Sequence, residues 1–208
     1  MEIPMLSDKN GVSAASVIES CKTAWALPAS IRPLSLEMKV WGPALPVRCP
    51  GGDNLWIHVA LQKVAPGEVL VVDVGDAPEF GYWGEILATS ALAKGAGGII
   101  INGGVRDIAQ LKKLNLPTFS TCICIRGTAK DPYGDGAVGQ PTRIGSGIVR
   151  RGDLVVGDAD GVVVVPSATA SEAVETAKCR EKNEAVIFER VRAGETTLDI
   201  FNLKSPEE

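Results

Sequence analysis

Residues 83–107 of this 208-residue chain read WGEILATSALAKGAGGIIINGGVRD, and that stretch decides the fold. Gly84-Glu85 opens a helix in which Ile86, Leu87, Ser90, Ala91 and Lys94 recur at helical spacing until Gly95 stops it. Gly97-Gly98 leads into Ile99-Ile100-Ile101-Asn102, an apolar run of the kind found in strands covered on both faces. Gly103-Gly104 then reads as a turn before Val105-Arg106-Asp107. Upstream, the segment from Glu68 to Asp73 (EVLVVD) reads as a second buried strand. Strand, helix, strand is a crossover unit, so the two strands are expected as parallel neighbours joined right-handedly. The class is α/β with a parallel core.

That arrangement has a chemical consequence. The helix N-terminus and the loop after the second strand meet at the carboxyl edge of the sheet, where open α/β sheets bind ligands. Backbone N–H groups of Glu85, Ile86 and Leu87 would point there and favour an anion. Arg106 adds a two-pronged grip on a carboxylate. Asp107 and Glu85 bring two carboxylates to the same place, which suits a hard divalent cation such as magnesium. Together these residues describe a site for a small carboxylate-bearing substrate bound with a metal. The plainer alternative is that Asp107 caps a helix over Ile108–Leu114 and Arg106 is a surface ion-pair partner.

Composition narrows the classes. A length of 208 residues is one domain's worth, here residues 1–208, with 45% hydrophobic and 22% charged residues as in ordinary globular proteins. A net charge of −4 argues against nucleic acid as the main partner, and two tyrosines with four phenylalanines give little stacking surface. The five cysteines, at 21, 49, 122, 124 and 179, lack zinc-ligand spacing and any Cys-x-x-Cys pattern, and read as reduced, buried thiols. No secretory leader is read at the start and no apolar run reaches membrane-spanning length, so the expectation is a cytoplasmic protein with no membrane partner.

Taken in order, the first dozen residues read as loose, and Ser13 to Thr23 as a helix with Val17 and Cys21 inward. Trp25 to Leu36 reads as irregular, and Leu36 to Trp41 as a strand ended by turns at Gly42-Pro43 and Pro46. Asp53 to Lys63 reads as a short helix, and Pro117 to Ile125 as a strand followed by a polar loop, Arg126 to Lys130, able to line the site mouth. Asp158 to Gly161 is a hairpin turn rather than a calcium loop. Thr169-x-x-Glu172 reads as a capping box for a long helix reaching about Arg192, with Ala173, Val174, Ala177, Val186, Ile187 and Arg190 as its packing stripe. The tail after Gly194 is free to wrap onto another subunit.

His58 is the only histidine, so histidine-clustered metal sites are impossible and any nucleophile–histidine pair would have to use it. Beside Trp56 and Val59 it reads as a structural, hydrogen-bonded residue. Lys39 is the only lysine with the apolar neighbours a Schiff-base mechanism requires, and alternation turns it to solvent. Gly134 to Gly139 matches a dinucleotide fingerprint in letters alone, since it follows Pro132-Tyr133 and not a strand.

An acidic residue, Glu85, twenty intervening residues, then Arg106-Asp107 resembles the signature of the class II pyruvate aldolases. Those enzymes cleave 4-hydroxy-4-methyl-2-oxoglutarate and 4-carboxy-4-hydroxy-2-oxoadipate, and share the RraA-like fold with the regulator of ribonuclease E activity. The segments Gly51 to His58, Pro66 to Asp73 and Gly152 to Pro166 also resemble that family, so the likeness spans about residues 41–166.

The resemblance implies a three-layer swivelling β/β/α domain, assembled as a homotrimer or homohexamer with sites at subunit interfaces. It implies that Gly84 and the amides of Ile86 and Leu87, with Arg106, hold the pyruvyl carboxylate. Asp107 would be the direct ligand of Mg2+ or Mn2+, and Glu85 would hold it through water. The cation would draw charge from the 2-oxo group, a metal-bound water serving as acid–base in place of a histidine. Glu19 is the residue nearest to a family carboxylate that reaches a neighbouring subunit's site. Glu85 and Asn102 stand where relatives carry aspartate, which bears on the substrate. Two other activities fit the same resemblance: decarboxylation of oxaloacetate, and a non-catalytic protein-binding role like that of the ribonuclease E regulator. A methyltransferase finds no cofactor loop here.

Overall fold

We analysed a computed structural model, in which the described residues are 11–205. The expected loose start therefore falls mostly on residues 1–10, outside the described residues. In chain order the elements are α1 (Ala14–Ser20), β1 (Trp25–Ala26), β2 (Arg32–Pro33), β3 (Val40–Arg48), α2 (Leu55–Lys63), β4 (Val69–Asp73), β5 (Gly81–Trp83), α3 (Glu85–Ala93), β6 (Gly98–Val105), α4 (Ile108–Leu114) and β7 (Thr118–Ile123). The second half adds β8 (Ala137–Val138), β9 (Thr142–Ile144), β10 (Gly147–Val149), β11 (Leu154–Asp158), β12 (Gly161–Val165), α5 (Ala170–Arg192) and α6 (Thr197–Phe201).

The sheet order is β1-β12-β11-β3-β4-β6-β7-β2, with β5 beside β6, β8 beside β3, and β9–β10 a separate hairpin. The core strands β3, β4, β6 and β7 are parallel, as the crossover unit requires. Antiparallel strands β11, β12, β1 and β2 flank them, so the whole sheet is mixed. The sheet curls so that its β2 end approaches the β11–β12 turn, where Arg32 in β2 donates to Asp160 O.

Three apolar clusters follow from this layering. One lies between the parallel strands and α2, α3 and α4, and includes Leu70, Val72, Ile99, Ile101, Ala88 and Ala91. A second fills the inside of the curl, with Val71, Ile100, Phe119, Val155 and Val164. A third seats α1 and α5 on β11 and β12 through Val17, Ala173, Val174 and Ala177. Alternation along β4 and β6 sends successive residues to opposite clusters, which is why those strands read as unbroken apolar runs.

Several local expectations change. The strand expected over residues 36–41 begins only at Val40 and then runs through Gly42, Pro43 and Pro46 to Arg48. Its prolines survive because β3 changes partners: residues 40–43 pair with β11 and residues 44–48 with β4. Ala44 N donates to Asp153 O on the β11 side, so Pro43 presents its missing donor to the opposite side, where the β4 ladder has not begun. Trp25 to Leu36 is not wholly irregular, since it contains β1 and β2.

Gly103-Gly104 is not a turn either: β6 continues through it to Val105. A Cβ on Gly104 would lie 2.5 Å from Phe80 O, and one on Gly103 would lie 2.8 Å from Val74 Cγ2. Close approach is what these glycines serve. The capping box at Thr169 is not formed, because a 3-10 turn over Ser167–Thr169 directs the Thr169 hydroxyl to Pro166 O. The α5 stripe holds at Ala173, Val174 and Ala177, whereas Val186 and Arg190 are exposed past the edge of the body. Of the five thiols only Cys49 is buried, and Cys179 is exposed. No helix among the described residues is long and apolar enough to cross a membrane.

Replacing Gly104 with alanine should force the β5 approach apart and cost about 1–3 kcal/mol of stability, as overpacking in a filled core does. Urea unfolding measures this, and an unchanged midpoint would mean that the position is an open turn after all.

Candidate functional site

At the carboxyl ends of the parallel strands, β5, β6 and the N-terminus of α3 meet. Arg106 follows directly on β6, its amide donating to Trp83 O at 2.8 Å, and Trp83 is fully buried. Asp107 has φ 60° and ψ 40°, a left-handed conformation that aspartate tolerates better than most side chains. Its carbonyl starts α4 by accepting from Gln110 and Leu111, but its carboxylate makes no capping bond to that helix. Asp107 Oδ2 instead accepts from the Glu85 amide at 3.0 Å. The plain helix-cap reading of Asp107 is thus not what the side chain does: it reaches across to α3.

Gly84 makes this possible. A Cβ there would sit 2.4 Å from Asp107 Oδ2 and 3.3 Å from Arg106 Nε. The helical ladder of α3 begins with Ala88 donating to Gly84 O, which leaves the Ile86 and Leu87 amides as its outward donors. The Glu85 amide, expected to be free, is the one Asp107 takes. Arg106 Nε stands 3.8 Å from Asp107 Oδ2, and among the described residues its terminal nitrogens make no hydrogen bond. Its guanidinium edge is therefore available for a carboxylate.

These groups border a cavity of about 110 Å3 lined by Asn54, His58, Gly81, Tyr82, Gly84, Ile86, Leu87, Arg106, Asp107 and Lys130. Five of the six expected site residues, Gly84, Ile86, Leu87, Arg106 and Asp107, lie on it. Glu85 does not: its side chain is exposed and outside the lining. Asn102 is also elsewhere, donating to Asp73 Oδ1 at 3.2 Å one strand across. An aspartate at that position would face Asp73 with like charge, which gives the amide a local reason. Lys39 is exposed, as expected.

Of the five other lining residues, Asn54 and His58 were given no site role by sequence reasoning, nor were Gly81 and Tyr82 of β5, whereas Lys130 lies on the polar loop expected at the site mouth. The signal for the first two was their spacing, since positions four apart share a face at the start of a helix. Lys130 arrives from the polar loop after β7, which Asp53 pins. The buried Asp53 carboxylate accepts from Leu55 N at 2.7 Å and from Asp131 N at 2.5 Å, tying the α2 start to that loop. Asn54 Nδ2 donates to Tyr82 O at 2.9 Å, joining α2 to β5.

Burial first, and then the Lys130 charge, lower the His58 pKa, with Asp53 pulling the other way. The folded protein thus favours the neutral imidazole. The associated stability is complete above the unfolded-state pKa and is lost as pH falls through the folded one. Because the chain has one histidine, its NMR titration is unambiguous. The midpoint should lie below the ordinary value of about 6.5, and Lys130→Gln should move it part of the way back. A midpoint at or above the ordinary value would contradict this placement.

Among the described residues no group of three or more His, Cys, Asp or Glu is gathered for a metal. That excludes a zinc-type protein cage here, yet it fits magnesium or manganese, which keep several waters and need only one or two carboxylates. Asp107 Oδ1, which makes no hydrogen bond among the described residues, is the donor such an ion would use.

The model of the RraA-like family, described as Aldolase/RraA, matches residues 4–164. A relative from Halalkalibacterium halodurans, provisionally named a 4-hydroxy-4-methyl-2-oxoglutarate aldolase, is 30% identical over 88% of this chain and 86% of its own. The solved structure of an uncharacterized protein from Pseudomonas syringae pv. tomato superposes with a TM-score of 0.78 at 28% identity, covering 90% of this chain and 87% of that one. The RNA-processing inhibitor RraA from Thermus thermophilis superposes with a TM-score of 0.67 at 25% identity, over 74% of this chain and 92% of the other.

Proposed function

This chain belongs to the RraA-like family, and from that premise we propose that it is a divalent-metal-dependent carbon–carbon lyase. The substrate class is a 4-hydroxy-2-oxo acid such as 4-hydroxy-4-methyl-2-oxoglutarate, cleaved to pyruvate and a second 2-oxo acid. The observation that carries the reading is the convergence of Arg106, Asp107 and the α3 amides on one small cavity that also holds His58 and Lys130.

Arg106 and the amides of Ile86 and Leu87 hold the carboxylate beside the 2-oxo group. Lys130 at the rim meets the second carboxylate of a dicarboxylic substrate. Asp107 would hold Mg2+ or Mn2+ directly, with Glu85 assisting through water from outside the cavity. When bound, the ion supplies Lewis-acid stabilisation of charge developing on the 2-oxo oxygen. His58, held neutral by its surroundings, takes the proton of the 4-hydroxyl at its free ring nitrogen as the carbon–carbon bond breaks. It returns that proton to the methylene carbon, which closes the balance as pyruvate forms. Decarboxylation of oxaloacetate requires the same enolate stabilisation and enters as a second activity of this site. The working form in this reading is a cytoplasmic homotrimer or homohexamer, supported by the exposed Phe188, Val191, Leu198 and Phe201 on α5 and α6.

Pyruvate release from a panel of 4-hydroxy-2-oxo acids and oxaloacetate, with and without magnesium, tests the proposal. Release should depend on the ion. Arg106→Lys should lower kcat/KM by about ten- to a hundredfold, since a charge-assisted hydrogen bond is worth roughly 1.5–3 kcal/mol. Glu85→Ala should be milder and partly restored by excess metal. Turnover indifferent to a chelator, or unchanged kinetics for Arg106→Lys, would contradict the reading.

A further inference from the structure

Cys122 and Cys124 stand two residues apart where β7 runs out beside β6. Gly104 pairs with Cys122, and the Cys124 amide donates to Val105 O at 2.9 Å, so the extended backbone continues past the end of β7. Residues two apart on such a segment share a face. Ile123 between them turns the other way and is 66% exposed. The two cysteines crowd one spot: the place a Cβ on Gly104 would take lies 3.1 Å from Cys122 Sγ and 3.0 Å from Cys124 Cβ. Both are free and partly exposed, so the pair is reduced and open to small solutes.

We propose that Cys122 and Cys124 form a two-thiolate site for a soft monovalent metal ion of the Cu(I) type. The backbone spacing argues for an ion rather than a disulfide. Two extended residues place their Cα atoms roughly 6.4–6.8 Å apart, at the long end of what a disulfide spans, whereas a bridging ion adds length between the sulfurs. Coordination number argues for the kind of ion. Zinc takes four ligands in a structural site, and the described residues offer no group of three candidate ligands anywhere. Soft thiolates suit Cu(I), a d10 ion content with two donors. Two thiols bind it by releasing two protons, with no change of oxidation state.

The site shares a wall with the cavity described above. A Cβ on Gly81 would lie 2.6 Å from Cys124 O and 3.0 Å from Arg106 Cδ. The inference nevertheless stands independently of the lyase reading, because it is tested by binding alone.

Anaerobic titration of the full chain against a chromophoric Cu(I) chelator is the experiment. The wild-type protein should withdraw one equivalent, and Cys122→Ser and Cys124→Ser should each bind at least about tenfold more weakly, the loss seen even for outer-shell changes at metal sites. Cys179→Ser should match the wild type. Circular dichroism checks that each variant is folded, and alanine replaces serine where it is not. Failure of the wild type to compete, or retention of full affinity in either variant, overturns the proposal. Equal uptake of zinc overturns the two-coordinate assignment.

Discussion

The hydrogen bond from the Glu85 amide to Asp107 Oδ2 is the constraint on which the site depends. It joins the start of α3 to the loop after β6, two elements separated by the entire crossover. Asp107 can reach only because its backbone is left-handed and because residue 84 has no side chain. The bond also puts a carboxylate beside the positive end of a helix, where the helix dipole favours it. Among the described residues, what is left without a partner is the other carboxylate oxygen, the terminal guanidinium nitrogens of Arg106 and the Ile86 and Leu87 amides. In the proposed function, an anionic substrate and a cation would therefore use different protein groups side by side.

The remainder of the fold holds that arrangement still. Trp83 and Tyr82 are fully buried, so β5 cannot shift without opening the core. Tyr82 is tied at both ends, its hydroxyl accepting from Gly52 N and donating to Ala77 O while its carbonyl accepts from Asn54. Asp53 performs the equivalent task for the Lys130 loop. Cys49 lies in the same packed region, where burial, together with Asp53 and Asp73, pushes its thiol up to about 12. That thiol belongs to the core.

The crossover unit was legible because apolar periodicity changes from helical to continuous within one short stretch, and glycines mark each boundary. Arg106 and Asp107 were legible for the same reason: they follow a buried strand, at the edge where ligands bind. Gly103, Gly104, Pro43 and Pro46 were misread as turn residues. Their roles depend on which neighbour lies opposite, Phe80 and Val74 for the glycines and a change of strand partner for the prolines, and single-chain spacing does not carry that information. His58 reads as structural from its apolar sequence neighbours, yet it borders the cavity, and the Lys130 charge that acts on it comes from a distant loop. Glu85 is the converse case. Its position at the helix start was right, yet what enters the site is its amide and not its carboxylate.

The central claim is that Asp107 works as a ligand-binding carboxylate as well as a tether for α3. Asp107→Ala separates the two functions when melting temperature and magnesium-dependent pyruvate formation are measured on the same preparation. Loss of the tether alone costs about 1 kcal/mol of stability, with the folded fraction turning over normally. Loss of the metal-holding carboxylate removes several kcal/mol of transition-state stabilisation, and about 4 kcal/mol corresponds to roughly a thousandfold in rate. The account predicts a modest drop in melting temperature with activity reduced by about that factor. A destabilised but fully active Asp107→Ala protein would contradict it.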